Sequence, residues 1–177
     1  MSYLLDDVSY LRQNRNMPIS KLALPAFAAL ASVALCPAQP VVTVHGLGAS
    51  TVTLSLSDLA RLPQQTVQVA EQDKPVTFEG VLLLDVLSKI DLPLGETFHK
   101  TGASYYLVVD AADGYKAVFA WAEIDPSFTD RKVYLVTKRD DKPLADSEGR
   151  FRLVVPGEKR GARGVHQVTA LTVRQAN

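Results

Sequence analysis

The residues best placed to do chemistry lie in one stretch near the C-terminus, Phe151 to Val168, FRLVVPGEKRGARGVHQV. An apolar strand, Phe151–Val155, breaks at Pro156-Gly157. The chain then runs through Glu158, Lys159, Arg160, Gly161, Ala162, Arg163, Gly164, Val165 and His166 before a second strand begins at Val168. Guanidinium forks and backbone N–H groups at glycine-bearing turns are complementary to an anion. A strand, a Pro-Gly break and a cationic loop form one way to present both. The same composition also describes a solvated basic turn between two strands, because surface loops carry charge by default.

Other chemistry is thinly represented. No HExxH, GxSxG or GxGxxG signature is present, nor a phosphate-binding GKS or GKT. His45, His99 and His166 are far apart and read as strand-end or loop residues. Ser104 and Ser127 have no motif around them. Asp110 and Asp113 bracket a hairpin, where carboxylates shape turns. Tyr105, Tyr106, Tyr115 and Trp121 alternate through the same hairpin as core and rim residues. Nineteen basic and nineteen acidic side chains balance to a formal net charge of zero, so no overall field draws the chain to nucleic acid. Any anion site must be local.

The N-terminal residues have a different character. Met17–Lys21 carries one positive charge, Leu22–Leu35 is an apolar run rich in Ala and Leu, and Cys36-Pro37-Ala38 precedes Gln39-Pro40. This resembles a secretory signal peptide cleaved after Ala38. The apolar run is shorter than the roughly 20 residues a spanning helix needs. Met1–Asn16 does not belong to the pattern, which places the expected start at Met17. The alternatives are an amphipathic helix packing on the domain, or a lipid anchor at Cys36, where the preceding Leu35 is large for such a signal. The expectation is an extension and leader over 1–38 and a single domain over 39–177. That domain would be periplasmic or secreted, with no stable membrane span after cleavage. Cys36 is the only cysteine. The mature domain would therefore have no disulfide and no thiolate for a metal.

Hydrophobic residues at 47% and charged residues at 21% describe a globular chain able to bury a core. Strands are expected at Val41–Val44, Thr51–Leu54, Thr66–Ala70, Tyr105–Asp110, Tyr115–Trp121, Lys132–Lys138, Phe151–Val155 and Val168–Val173. Helices are expected at Ser57–Leu62, with Ser57 as N-cap, and at Leu82–Ile90, where Leu83, Val86, Leu87 and Ile90 share a face. Ala122–Pro126 reads as one helical turn. Asp73-Lys74-Pro75 and Asp113-Gly114 read as turns, Asp91–Gly102 as a loop and Arg139–Glu148 as a charged, solvated connection. Strands cluster and helices are few, which argues for an α+β fold of mixed sheets with short helices.

Three segments, in order, carry a resemblance: Gly80–Leu92 (GVLLLDVLSKIDL), Asp113–Pro126 (DGYKAVFAWAEIDP) and Lys142–Val173, which contains RLVVPG and the basic loop. Together they resemble the molybdopterin-binding oxidoreductase domain of the sulfite oxidase family. The resemblance implies molybdopterin as the cofactor and makes the basic loop its holder, through Lys159, Arg160, Gly161, Arg163, Gly164 and His166. Arg163 matches the arginine of the family's Gly-Ala-Arg loop. His166 stands where the family often has a lysine. Catalytic members hold molybdenum through a cysteine thiolate. Here the corresponding interval, Val67–Gly80, contains no cysteine, and Ala70 or Glu71 lies about where the ligand is expected. A soft sulfur ligand sets the metal's electronics, so its loss bears on function. The expected function is a non-redox module that binds an anionic small molecule or cofactor. Two alternatives stand beside it. One is an oxidoreductase whose metal is held by Glu71, another oxygen donor or only the pterin sulfurs. The other is a structural partner of another periplasmic protein.

Overall fold

More and less buried residues alternate along β-rich segments such as Gln64–Glu71 and Lys116–Ala120, and the chain forms two five-stranded sheets with few helical turns. The computed structural model describes residues 39–90, 92 and 102–176. The expected leader, His99 and nearly all of the loop after Ile90 lie outside the described residues. The first sheet contains β1 (Val41–His45), β2 (Thr51–Ser55), β5 (Tyr105–Ala111), β6 (Lys116–Ala120) and β10 (Val168–Gln175), ordered β2-β1-β10-β5-β6. Only β1 and β10 run parallel within it. The second sheet contains β3 (Gln64–Glu71), β4 (Lys74–Leu82), β7 (Tyr134–Arg139) and β8 (Lys142–Pro143), with β9 (Arg152–Val154) pairing β7. Two short helices, α1 (Leu56–Leu59) and α2 (Leu83–Leu87), join strands. The fold is a sheet-rich α+β arrangement.

Burial follows the residue pattern. On the first sheet Val42, Val44, Leu107, Val109, Phe119 and Leu171 point into a core shared with Leu83, Val86 and Leu87 of α2. A second cluster gathers Val76, Phe78, Tyr134, Val136, Leu144 and Val154. The run Val133-Tyr134-Leu135-Val136 does not alternate because its odd and even positions face different clusters. Strands covered on both faces lose the period-two pattern.

Local differences from expectation have local reasons. The N-cap of the first helix is Ser55, not Ser57. Its Oγ accepts from Asp58 N at 3.2 Å, and Asp58 Oδ2 accepts from Ser55 N at 2.9 Å. That reciprocal pair requires an acidic residue three positions on, which Ser55 has and Ser57 lacks. The second helix is shorter than expected, yet Leu83, Val86, Leu87 and Ile90 are all buried as its spacing implied. The turn expected at Asp73-Lys74-Pro75 is formed by Gln72 and Asp73, with φ of 50° and 62°, and Lys74-Pro75 already belong to β4. Two left-handed residues make a tight hairpin connection whose twist suits the strands. Pro75 lies outside the β4–β7 pairing, which starts at Phe78, so its missing N–H costs nothing there. Arg139–Glu148 is not simply solvated. Asp140 and Asp141, with φ of 48° and 63°, turn β7 into β8, and Leu144 and Glu148 are buried.

Gly80 sits where the β4–β7 register shifts, and the partner strand presses against it. A Cβ there would meet Leu135 O at 2.2 Å and Val136 Cα at 2.5 Å. Both obstacles are backbone and cannot rotate away. Gly80→Ala is expected to lower stability by about 2–3 kcal/mol in denaturant unfolding. Gly48→Ala, where nothing lies within 4 Å, should show only the smaller cost of its φ of 72°.

Candidate functional site

The β5–β6 turn and the loop after β9 enclose a cavity of about 280 Å³. Asp113 and Tyr115 of the turn form one wall. Gly161, Ala162, Gly164, His166 and Gln167 form another, and Ser147 closes the third. Each wall is pinned. Asp113 Oδ1 accepts from Tyr115 N at 2.9 Å, which shapes the turn as its sequence implied. Tyr115 Oη donates to Ala162 O at 2.7 Å and ties the turn to the basic loop. Leu153 N donates to Val165 O at 2.8 Å, and Val168 N to Phe151 O at 2.9 Å, closing that loop at its base. Gln167, with φ of 51°, donates its N–H to Glu148 O at 2.8 Å and accepts from Ala112 N at 3.0 Å.

The six residues implied for cofactor binding divide into three groups. Gly161, Gly164 and His166 line the cavity. Lys159 and Arg160 are exposed, immediately precede Gly161, and make no ion pair among the described residues. Arg163 does not line the cavity. Its guanidinium stacks over Phe119 at 5.0 Å, donates to Glu123 Oε2 at 2.8 Å, and also pairs closely with Glu158 Oε1. The fork expected to meet a phosphate is thus engaged by two carboxylates of the same chain. Glu158 folds back across the turn, and Glu123 arrives from the 3-10 turn Trp121–Glu123 that follows β6. Arg163 therefore clamps the loop onto β6.

His166 keeps much of its ring exposed. Even so, the part that is covered, and next the charge of Arg152, push its pKa down, against weaker upward pulls from Glu148 and Glu71. Its imidazole is neutral at pH 7 and offers one N–H rather than a full positive charge.

Behind this wall lies a buried ion cluster. Arg152, with its side chain 9% exposed, pairs closely through Nη2 with Glu71 Oε1 and through Nη1 with Glu148 Oε1. Arg139 Nη1 reaches Glu71 Oε2 at 3.0 Å and Glu148 Oε1 at 3.1 Å. Both guanidinium groups face the Phe78 ring, at 4.8 Å for Arg152 and 5.5 Å for Arg139. Burial pushes the Glu148 carboxyl up, but hydrogen bonds and charge from Arg139 and Arg152 outweigh it and hold it below its ordinary value.

This arrangement decides whether the residues fit a molybdenum centre. Where the resemblance places a thiolate ligand, at Ala70 or Glu71, the chain is still in β3, and the two-residue turn Gln72-Asp73 that follows leaves no loop to project a side chain. Glu71, the oxygen donor nearest that place, is committed to two arginines. No three His, Cys, Asp or Glu side chains among the described residues gather to hold a metal. These residues do not fit a metal held by the protein. Asp113, Tyr115, Ser147, Ala162 and Gln167 line the cavity without being among the six expected residues. The Asp113-Gly114-Tyr115 turn was the one usable signal.

Removing Arg152 leaves the buried Glu148 carboxylate under-compensated. Arg152→Ala is expected to cost about 3–5 kcal/mol in denaturant unfolding. The intact cluster also sets a pH dependence. Glu148 has a depressed folded pKa, so its contribution is present above its ordinary value of 4.5 and is lost as pH falls below that value. Unfolding free energy measured from neutral pH down through that window should fall more steeply in wild type than in Glu148→Gln.

Among the described residues no helix is long and apolar enough to cross a membrane. No family model matches the chain, and no curated protein matches it. Among solved structures it is similar to the sulfane dehydrogenase SoxCD from Paracoccus pantotrophus, at 19% identity and a TM-score of 0.59, over 76% of this chain and 38% of that one. The chain thus spans little more than a third of that protein's chain. The likeness is one of fold, and the sheet-rich α+β domain described here is a distant structural relative of that dehydrogenase.

Proposed function

We propose that this chain is an exported, non-redox module that binds an anionic small molecule or pterin-type cofactor, on a fold related to that of a sulfur-compound dehydrogenase. The observation that carries the reading is the fate of the ligand position. At the two positions where the resemblance expects a thiolate, Ala70 has no donor side chain and Glu71 is bound into the Arg139–Arg152 cluster. Metal-centred chemistry loses its anchor while a cavity remains.

The cavity's chemistry supports a small polar anion. A volume near 280 Å³ is at the lower end of small-molecule sites. Glycine positions let a ligand approach the backbone at Gly161 and Gly164. No lysine or arginine lines the cavity and Asp113 does. The nearest cations along the chain without an ion pair among the described residues are Lys159 and Arg160, exposed and adjacent to Gly161, because Arg163 is paired with Glu123 and Glu158. The related dehydrogenase is named for sulfane chemistry, which makes sulfur oxyanions the first probes. Export rests on the signal-like leader.

Thermal unfolding with phosphate, sulfate and thiosulfate tests this reading. At a hundredfold excess over Kd, a specific ligand stabilises by about 2.7 kcal/mol. The expected result is a saturable rise in Tm with at least one of the three anions. It should disappear in the Lys159→Ala/Arg160→Ala variant and persist in Arg163→Gln. An unshifted wild type, or a full shift in the double variant, would contradict the assignment.

A further inference from the structure

The sheet edges of this protein are not equally protected. β8 is two residues long and ends in Pro143. β6 carries Lys116 and has the Gly161–Arg163 turn packed against it through Arg163 and Tyr115. β2 is five residues long. β3 is different: eight residues, paired on one side only among the described residues, with no charge or proline from Gln64 to Ala70 and no bulge against β4. Natural edge strands of this length usually carry a charge, a proline or a bulge that prevents pairing.

We propose that the free edge of β3 pairs antiparallel with β3 of a second copy of this chain, joining two sheets across a two-fold axis at Val67. The register follows from the hairpin. Two left-handed turn residues make Glu71 and Lys74 the hydrogen-bonded pair that closes it. Val69, Val67 and Gln65 therefore bond toward β4. Gln64, Thr66, Gln68 and Ala70 turn their N–H and C=O groups outward. The two-fold that uses all four sets Gln64 against Ala70, and Thr66 against Gln68, of the other copy.

Charge agrees with that register. No like charges face each other along the paired span. The same register brings the turn end of one strand, with Asp73, toward the other copy's Arg61, which lies three residues before its β3. Arg61 has an 80% exposed side chain and pairs with Asp58 at 3.4 Å, and Asp73 makes no ion pair among the described residues. Pairing also extends the half-buried row of Val67 and Val69, which packs against the second core cluster. An isologous interface of this kind closes at two copies.

Sedimentation velocity over a wide concentration range tests the proposal, with far-UV circular dichroism confirming that each variant is folded. Wild type is expected to double in mass as concentration rises. Thr66→Lys with Gln68→Lys sets lysines opposite one another and should abolish the dimer. Thr66→Lys with Gln68→Glu alters the same positions but pairs opposite charges across the axis, and should retain it. Gln68→Pro removes an outward N–H without touching the β4 ladder and should also give monomer. A wild type monomeric throughout, or two charge variants that behave alike, would overturn the proposal.

Discussion

Arg152 cannot be buried without partners, and much of the structure follows from how it gets them. A guanidinium removed from water is tolerable only when its charge is met. Here both terminal nitrogens of Arg152 meet carboxylates, while its buried Nε has no hydrogen-bond partner among the described residues. Glu71 comes from the β3–β4 hairpin, 81 positions away in sequence. Glu148 comes from the segment before β9, and Phe78 supplies an aromatic face. Both strands of the β3–β4 hairpin and the segment before β9 are thereby fixed around one side chain. Glu148 is tied in twice, since its carbonyl also holds Gln167 at the base of the basic loop. The cluster that stabilises the second sheet is also what positions one wall of the cavity.

That double use has a functional consequence. A carboxylate locked between two guanidinium groups is a poor candidate to bind anything else, so the position where a metal ligand is expected has become structural. Arg163 repeats the theme on a smaller scale. Both of its engaged nitrogens meet carboxylates of the same chain, and its face rests on Phe119. Two residues that resemblance would assign to cofactor chemistry thus serve to hold the protein together. Lys159 and Arg160 are the cations of this loop that make no ion pair among the described residues.

Eight of the ten described strands were readable because their evidence is local: β-branched and aromatic runs mark β1, β5, β6 and β10 within a few residues, and Asp113-Gly114 marks the hairpin between two of them. The nine-residue β4 was not expected, because it runs directly into α2 and its start at Lys74-Pro75 reads as a turn. Tight turns at Gln72-Asp73 and Asp140-Asp141 were harder, since left-handed Gln and Asp carry no glycine to announce them. The short first helix was misplaced by two residues because a serine alone was taken as the cap, while the capping geometry needs Asp58 as well. The site was legible only in part. Glycines and cations in the basic loop drew attention to the right segment. The partners of Arg163 and Arg152 could not be read, because Glu123 and Glu71 reach them only through the tertiary fold. A cationic loop looks the same in sequence whether its charges are free or already neutralised.

The central claim is that this fold no longer anchors a redox metal. Molybdenum content of the protein purified from its natural source, determined by plasma mass spectrometry against protein concentration, tests it most directly. The account predicts a metal content far below one per chain, unchanged when the cells are supplied with excess molybdate. One molybdenum per chain, surviving extensive dialysis, would contradict it.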